Sequence, residues 1–375
     1  MSVVLLIIGL LLFVGLVVAH EFGHFLAARR NGVDVEEFGV GFPPRAWSKK
    51  TKNGFLFSLN WLPIGGFVKL KGEHDSDTEK GSFGAARLST KVKIMLAGVG
   101  MNLLAAFVIL TVLAAVGMPQ LLDNQFSIKS DAHTAKQEVL VGYIEKDSPA
   151  ARAGLHVRDQ LISFTSSTGQ TLKASTATTL PAITQGMAGQ NIQLTYIRNG
   201  VTRQARVQLL SERVVDASKK TSNPKGYLGI SPTEYKLTRA TWSAPVVAIG
   251  TMWQFTTATF HGLGTAINAL FHGQGSKASQ QVSGPIGIVV LLKDGSLLGY
   301  QFMLMIIAII SLTLAIMNVL PIPALDGGRL FVTLISRLFK MPLTQAVEER
   351  IYGAGFAVLM LLVVVITIVD VKRYF

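Results

Sequence analysis

The sequence predicts a polytopic α-helical membrane protein: four transmembrane helices, a membrane-associated β-hairpin and one inserted β-rich domain. Three observations predict it. Mean hydropathy is +0.43 with only 15% charged residues over 375 positions, so much of the core is bilayer. Runs 3–28, 94–117 and 353–369 satisfy the length rule for a spanning helix, and 298–320 is nearly uncharged. Between the second and third runs the composition becomes that of an ordinary soluble domain.

The first element, 1–28, could pass for a signal peptide. It lacks a basic leading region, however, and carries HEFGH where a cleavage site would lie, so it is expected to be retained. The loop 29–93 holds twelve Lys/Arg, including Arg29, Arg30, Lys49, Lys50, Lys91 and Lys93, crowded near the helix ends. By the positive-inside rule it is cytoplasmic and both termini face outward, although Lys372 and Arg373 run against that assignment. Within it, apolar residues of "FLFSLNWLPIGGFVKLKGE" (55–73) partly alternate around Pro-Ile-Gly-Gly, which predicts a hairpin of strands 55–61 and 67–71. "EHDSDTE" reads as solvated polar sequence.

The second span, 94–117, leads into a β-rich domain at 122–212 on the outer face. Ser148 caps a short helix opened by Pro149, and a hairpin turns at Asn199-Gly200. Residues 213–239 read as a linker. Residues 240–297 are amphipathic and aromatic-rich, with Trp242, Trp253, Phe255, Phe260 and Phe271, as expected of a segment lying along the outer membrane surface. The third span, 298–320, a broken turn and cytoplasmic loop, 321–350, and a last span, 351–370, complete the chain.

The net charge of +13 suits a protein facing anionic lipid, and no base-reading motif supports nucleic-acid binding. Cysteine is absent, which leaves His, Asp and Glu as metal-ligand types.

The chemistry begins at HEFGH. On a helix, His20 and His24 lie one turn apart on one face and can share a metal ion, with Glu21 beside it to take a proton from water. Ionisable residues in a span are expensive, and three within five positions point to function. From His20 to Arg29 a helix rises only about 13 Å, which places the pair in the inner-leaflet half. A catalytic zinc site needs a third protein ligand. "NVLPIPALDGGRL" (318–330) offers Asp326 at the same membrane face, where Pro321 and Pro323 forbid a regular helix and Gly327-Gly328 allow an unusual turn.

HEFGH, "AGVGMN" (97–102), "DSPAARAGLHVRDQLISF" and "NVLPIPALDGG" together resemble the site-2 protease family of intramembrane zinc metalloproteases. Their order is similar to the bacterial regulator-of-sigma-factor type with a single PDZ domain, and "DSPAARAGL" itself resembles PDZ domains of bacterial envelope proteases. The resemblance implies that His20, His24 and Asp326 bind Zn2+, that Glu21 is the catalytic base, that Asn318 contacts the substrate backbone and that Asn102 helps shape the site. It also implies that the 55–73 hairpin is a re-entrant β-loop, and "SGPIGI" (283–288) matches the segment before the third span. Phe67, Val68, Lys69 and Leu70 would then pair with an unwound substrate by strand addition.

The expected activity is cleavage inside the membrane segments of single-span proteins, such as anti-sigma factors after a first cut or remnant signal peptides. The expected place is the bacterial cell membrane, with the PDZ domain outside, taking peptide C-termini or acting as a size filter, and the active site near the cytoplasm. Some relatives of this type carry two PDZ domains, so the mode of gating stays open. Two other readings use the same residues, a membrane metal transporter or sensor and a non-catalytic PDZ scaffold. A transporter should show inverted repeats and polar groups on several spans, and this chain has neither; a scaffold leaves the metal triad idle.

Overall fold

A computed structural model describes residues 2–221, 224–341 and 343–375. Its elements fall into two units, one of Met1–Met118, Asn124–Lys129 and Ala240–Phe375, the other of Pro119–Asp123 and Ser130–Arg239.

The first unit opens with helix α1 (Ser2–Arg30), strands β1 (Val35–Lys50) and β2 (Leu56–Leu70), and helix α2 (Leu88–Val116). The second carries Pro119 of β3 (Met118–Pro119), then β4 (His133–Ile144), α3 (Pro149–Arg152), β5 (Gln160–Thr165), β6 (Thr171–Lys173), α4 (Leu180–Gly186), β7 (Asn191–Arg198), β8 (Val201–Gln208), α5 (Glu212–Ser218) and β9 (Ile230–Arg239). The chain returns to the first unit with α6 (Ala244–Phe271), α7 (Gly275–Gln280), α8 (Pro285–Leu298), α9 (Tyr300–Val319), α10 (Asp326–Leu338) and α11 (Gln345–Tyr374).

Among the described residues, α1, α2, α9 and α11 are the helices long and apolar enough to cross a membrane. Their bounds differ from the apolar runs mainly at α2, which begins six residues before the expected 94, and at α11, which begins at Gln345. Lys91 and Lys93 had marked the loop before α2, but both belong to its first turns and Lys91 is fully buried.

The hairpin expected at 55–73 is corrected. β1 and β2 pair antiparallel, and each is bent, so the register runs limb by limb. Gly39 faces both Phe67 and Ser58, and Val40 both Gly66 and Leu59. Residues 35–40 therefore lie between the two segments that were expected to pair with each other, and 66–70 becomes an outer limb. The preceding strand escaped notice because "VEEFGVGFPPRAWSKK" is rich in Gly, Pro and charge.

One further expectation fails in the second unit. The linker at 213–239 contains α5 and β9, and β9 pairs with β4 from Ile144↔Ile230 to His133↔Arg239, completing the sheet; its residues 222 and 223 lie outside the described ones. The sheet order is β3-β9-β4-β5-β7-β8, with β6 on β5, around a core of Val139, Val141, Leu161, Phe164, Ile192 and Leu194. The stretch 240–297 contains three helices; α6 buries one face, with Val247 and Ala248 packed in one cluster with Leu110, Leu113 and Met305 of α2 and α9, while Val246, Ile249 and Trp253 are exposed.

The loop expected at 321–350 contains α10, and "EHDSDTE" is solvated only in part: Ser76, Thr78 and Glu79 are exposed, while His74 and Asp75 turn to partners. Asp75 pairs with the buried Lys91. Its N–H donates to Glu348 Oε1 at 2.9 Å, and His74 Nδ1 lies 3.2 Å from Glu348 Oε2, where Glu348 is itself only 2% exposed. α11 is thus pinned at one end by Glu348 and at the other by Asp370, whose Oδ2 accepts from the N–H groups of Gly284 and Gly287 at 2.9 and 2.8 Å. Between these pins none of residues 351–369 is buried, as suits a lipid-facing span.

Removing one partner of a buried ion pair leaves an uncompensated charge, which costs about 3–5 kcal/mol. Asp75→Ala is therefore expected to lower the thermal unfolding midpoint of the detergent-solubilised protein sharply, and Asp75→Ala with Lys91→Met to recover most of the loss.

Candidate metal centre

α1 and α2 approach closely because small residues face each other. A Cβ on Gly23 would meet the Ala97 carbonyl at 2.5 Å, so only glycine permits this distance. The contact presents the HEFGH turn of α1 to α2. Gly98 then sits under both imidazoles: a Cβ there would lie 2.5 Å from His24 Nε2 and 2.7 Å from His20 Nε2.

Asp326 arrives from the other side. α9 ends at Val319, the chain turns through Pro321 and Pro323, and α10 starts at Asp326 itself. The expected turn after Asp326 is corrected here, since Gly327 and Gly328 are helical. They are glycines for lack of space: a Cβ on Gly327 would meet the Val319 carbonyl oxygen at 2.3 Å, and one on Gly328 the Ile322 carbonyl oxygen at 1.9 Å. A carboxylate in the first turn of a helix is also favoured by the helix dipole.

The three side chains form a near-equilateral triangle. His20 Nε2 lies 3.0 Å and His24 Nε2 3.2 Å from Asp326 Oδ2, and the two Nε2 atoms are 3.2 Å apart. Ligand atoms about 2.1 Å from a tetrahedral ion would be separated by about 3.4 Å, so the set fits a small divalent metal. Burial tends to raise the Asp326 carboxyl, but its hydrogen bonds with His20 and His24 outweigh burial and hold it below the usual carboxylate range.

Outer partners set the imidazoles. His24 Nδ1–H donates to the Ile94 carbonyl at 2.7 Å, which leaves the Nε2 lone pair for a metal. Asn102 lies 3.2 Å from His20 Nδ1 through its Nδ2, while its Oδ1 is buried with no partner. The two ends of an amide have the same shape. Turned over, Asn102 would accept from His20 Nδ1–H through Oδ1, satisfy the orphan oxygen and free His20 Nε2 as well. Ser311 Oγ–H donates to the Asn102 carbonyl at 2.8 Å, which ties this residue to α9.

Glu21 shares one cavity with His24, Asp326, Val68 and Leu70. Asn318 is half-buried in the last turn of α9, and its side chain makes no hydrogen bond among the described residues. Phe67 and Lys69 alternate with Val68 and Leu70 along the outer limb; Lys69 is turned to Glu36 at 2.8 Å, away from the cavity chemistry. The sequence reading missed Gly23, Gly98 and Arg329. Gly23 of HEFGH and Gly98 of "AGVG" are a small-residue signal for close helix approach, whereas nothing local marked Arg329, which reaches the same cavity.

The model of peptidase family M50 matches residues 8–362. A protein of Clostridium acetobutylicum named "Putative zinc metalloprotease" is 31% identical, the match covering 99% of this chain and 98% of the relative. Proteins with the same description from Clostridium perfringens (28%; 98% of each chain) and Fusobacterium nucleatum (27%; 100% of this chain and 98% of the relative) match over similar lengths.

If Asn102 holds His20, Asn102→Leu is expected to weaken divalent-metal affinity about 10- to 100-fold in chelator competition. Gly98→Ala should do at least as much, because its methyl would occupy the space of the imidazoles.

Proposed function

The chain belongs to peptidase family M50, and from that premise we propose that this multi-pass membrane protein is a zinc metalloendopeptidase that cuts peptide bonds inside the membrane segments of single-span proteins. One observation carries the reading: two imidazoles on a helix long and apolar enough to cross a membrane and a carboxylate from the start of α10 converge within 3.2 Å of one another, next to a glutamate. His20, His24 and Asp326 are the ligands, and the relatives named as zinc metalloproteases support zinc as the ion. Bound there, zinc would act as a Lewis acid on the scissile carbonyl and make a bound water more acidic.

The protein's own groups do the rest. Glu21 takes a proton from the attacking water and returns it to the leaving amine. A helical substrate hides its carbonyls in i to i−4 bonds, so it must be extended before attack. The outer limb of β2 supplies new partners to the extended segment by strand addition through Phe67, Val68, Lys69 and Leu70, and Asn318 holds its backbone. Two features support this role: among the described residues the limb is paired along one edge only, and Val68 and Leu70 share the cavity of Glu21.

The crowding of Lys and Arg in 29–93 supports a cytoplasmic position for this end of the spans and an outer position for the second unit. A short Ser148-capped helix in a β-rich fold with an exposed strand edge supports reading the second unit as a PDZ domain that selects substrates already shortened outside. Anti-sigma factors trimmed by an earlier protease and signal-peptide remnants fit that filter.

Glu21→Gln is expected to lower cleavage of a single-span test substrate by about 10²–10⁴-fold while zinc content stays near one ion per chain. Equal cleavage by the two proteins, or cleavage indifferent to chelator, would overturn the assignment.

A further inference from the structure

The outer limb of β2 has a free edge, and this structure shows what occupies it. On an edge strand, alternate residues turn both N–H and C=O away from the partner. Lys71 N–H donates inward, to the Asp34 carbonyl at 2.9 Å, so Leu70 and Val68 point outward. Leu70 N–H donates to Glu73 Oε1 at 2.9 Å. The chain therefore covers with its own carboxylate a donor that an added strand needs.

Glu73 has a second partner across the cavity. Arg329 Nη1 lies 3.5 Å from Glu73 Oε2, and Arg329 Nη2 also donates to the Glu73 backbone carbonyl. The guanidinium rests on the ring of Phe83 at 4.8 Å, and Phe83 is 2% exposed, so Arg329 is held in place. Arg329 stands three residues after Asp326 in α10, and Leu70, Glu73 and Arg329 line the same cavity as Glu21 and Asp326. Carboxylate, edge donor and guanidinium thus meet where a substrate strand must enter.

We propose that Glu73 is a built-in competitor for the substrate strand, covering the Leu70 N–H at rest and passing to Arg329 when a substrate carbonyl takes its place. The inference rests on strand addition at this edge, as proposed above. Glu73 and Arg329 are positioning residues: they touch neither the metal triad nor the scissile bond, and they set how readily an extended segment is admitted. A stable helix with no exposed carbonyl cannot displace the carboxylate, whereas a segment that unwinds readily can. The latch favours substrates with helix-breaking residues near the cytoplasmic end.

The test uses the full chain in nanodiscs, in the Glu21→Gln background so that substrate is held uncut, with binding of a fluorescent single-span peptide carrying a Gly-Pro break as the readout. A charge-assisted hydrogen bond is lost on displacement, so Glu73→Ala is expected to tighten binding roughly tenfold, with Glu73→Gln intermediate. Arg329→Gln should loosen binding, because Glu73 then has nowhere to go, and should have no effect once Glu73 is alanine. Unchanged or weaker binding in both Glu73 variants overturns the proposal, as does an Arg329→Gln defect that persists in the Glu73→Ala background. Zinc-dependent cleavage by the otherwise unaltered chain is measured alongside: its absence would strike the protease reading, while the binding results strike the latch alone.

Discussion

The contact on which the rest depends is the hydrogen bond from His24 Nδ1–H to the Ile94 carbonyl. Inside a bilayer a polar group must find its partner within the protein, and a helix offers few spare carbonyls. This one becomes reachable because Gly23 and Gly98 let α1 and α2 approach to near backbone contact. The bond leaves the Nε2 lone pair of His24 for a metal, and Asn102 on the same helix, with its amide turned over, would serve His20 in the same way. From this follows the position of everything else: α9 is tied to α2 through Ser311, and its continuation through two prolines delivers Asp326 as the third corner.

The same logic extends from the triad to the edge strand. Asp326 and Arg329 lie on one turn of α10, Arg329 holds Glu73, and Glu73 covers the Leu70 N–H. On the far side of the loop, His74 and Asp75 bind Glu348 of α11 and the buried Lys91 of α2. One short polar segment, 73–75, therefore touches α2, α10 and α11.

Much of this was legible in sequence, and the failures have physical causes. HEFGH and "NVLPIPALDGG" announce a triad because their costs in a membrane are high and their spacings specific, and the spans follow from apolar length. The hairpin was misread because alternation and a Pro-Ile-Gly-Gly signal reveal strands and bends, not which strand lies between two others. β9 was misread as linker because it is a mixed polar strand, and only pairing with β4 makes it one. "EHDSDTE" reads as solvated in one dimension, since its partners Lys91, Arg329 and Glu348 are brought to it by three separate helices. Gly327 and Gly328 were recognised as special for the wrong reason: their backbone is helical and the constraint is packing.

The central claim is that residues from α1 and α10 build a single zinc site inside the membrane region. X-ray absorption at the zinc edge on the purified full chain tests it most directly. The expected spectrum is one zinc per chain with two imidazole nitrogens and oxygen ligands at about 2.0–2.1 Å, an imidazole contribution halved in His24→Ala, and zinc lost when Asp326→Ala is added. Zinc bound with an unchanged spectrum in those variants, or an oxygen-only shell in the unaltered protein, would contradict it.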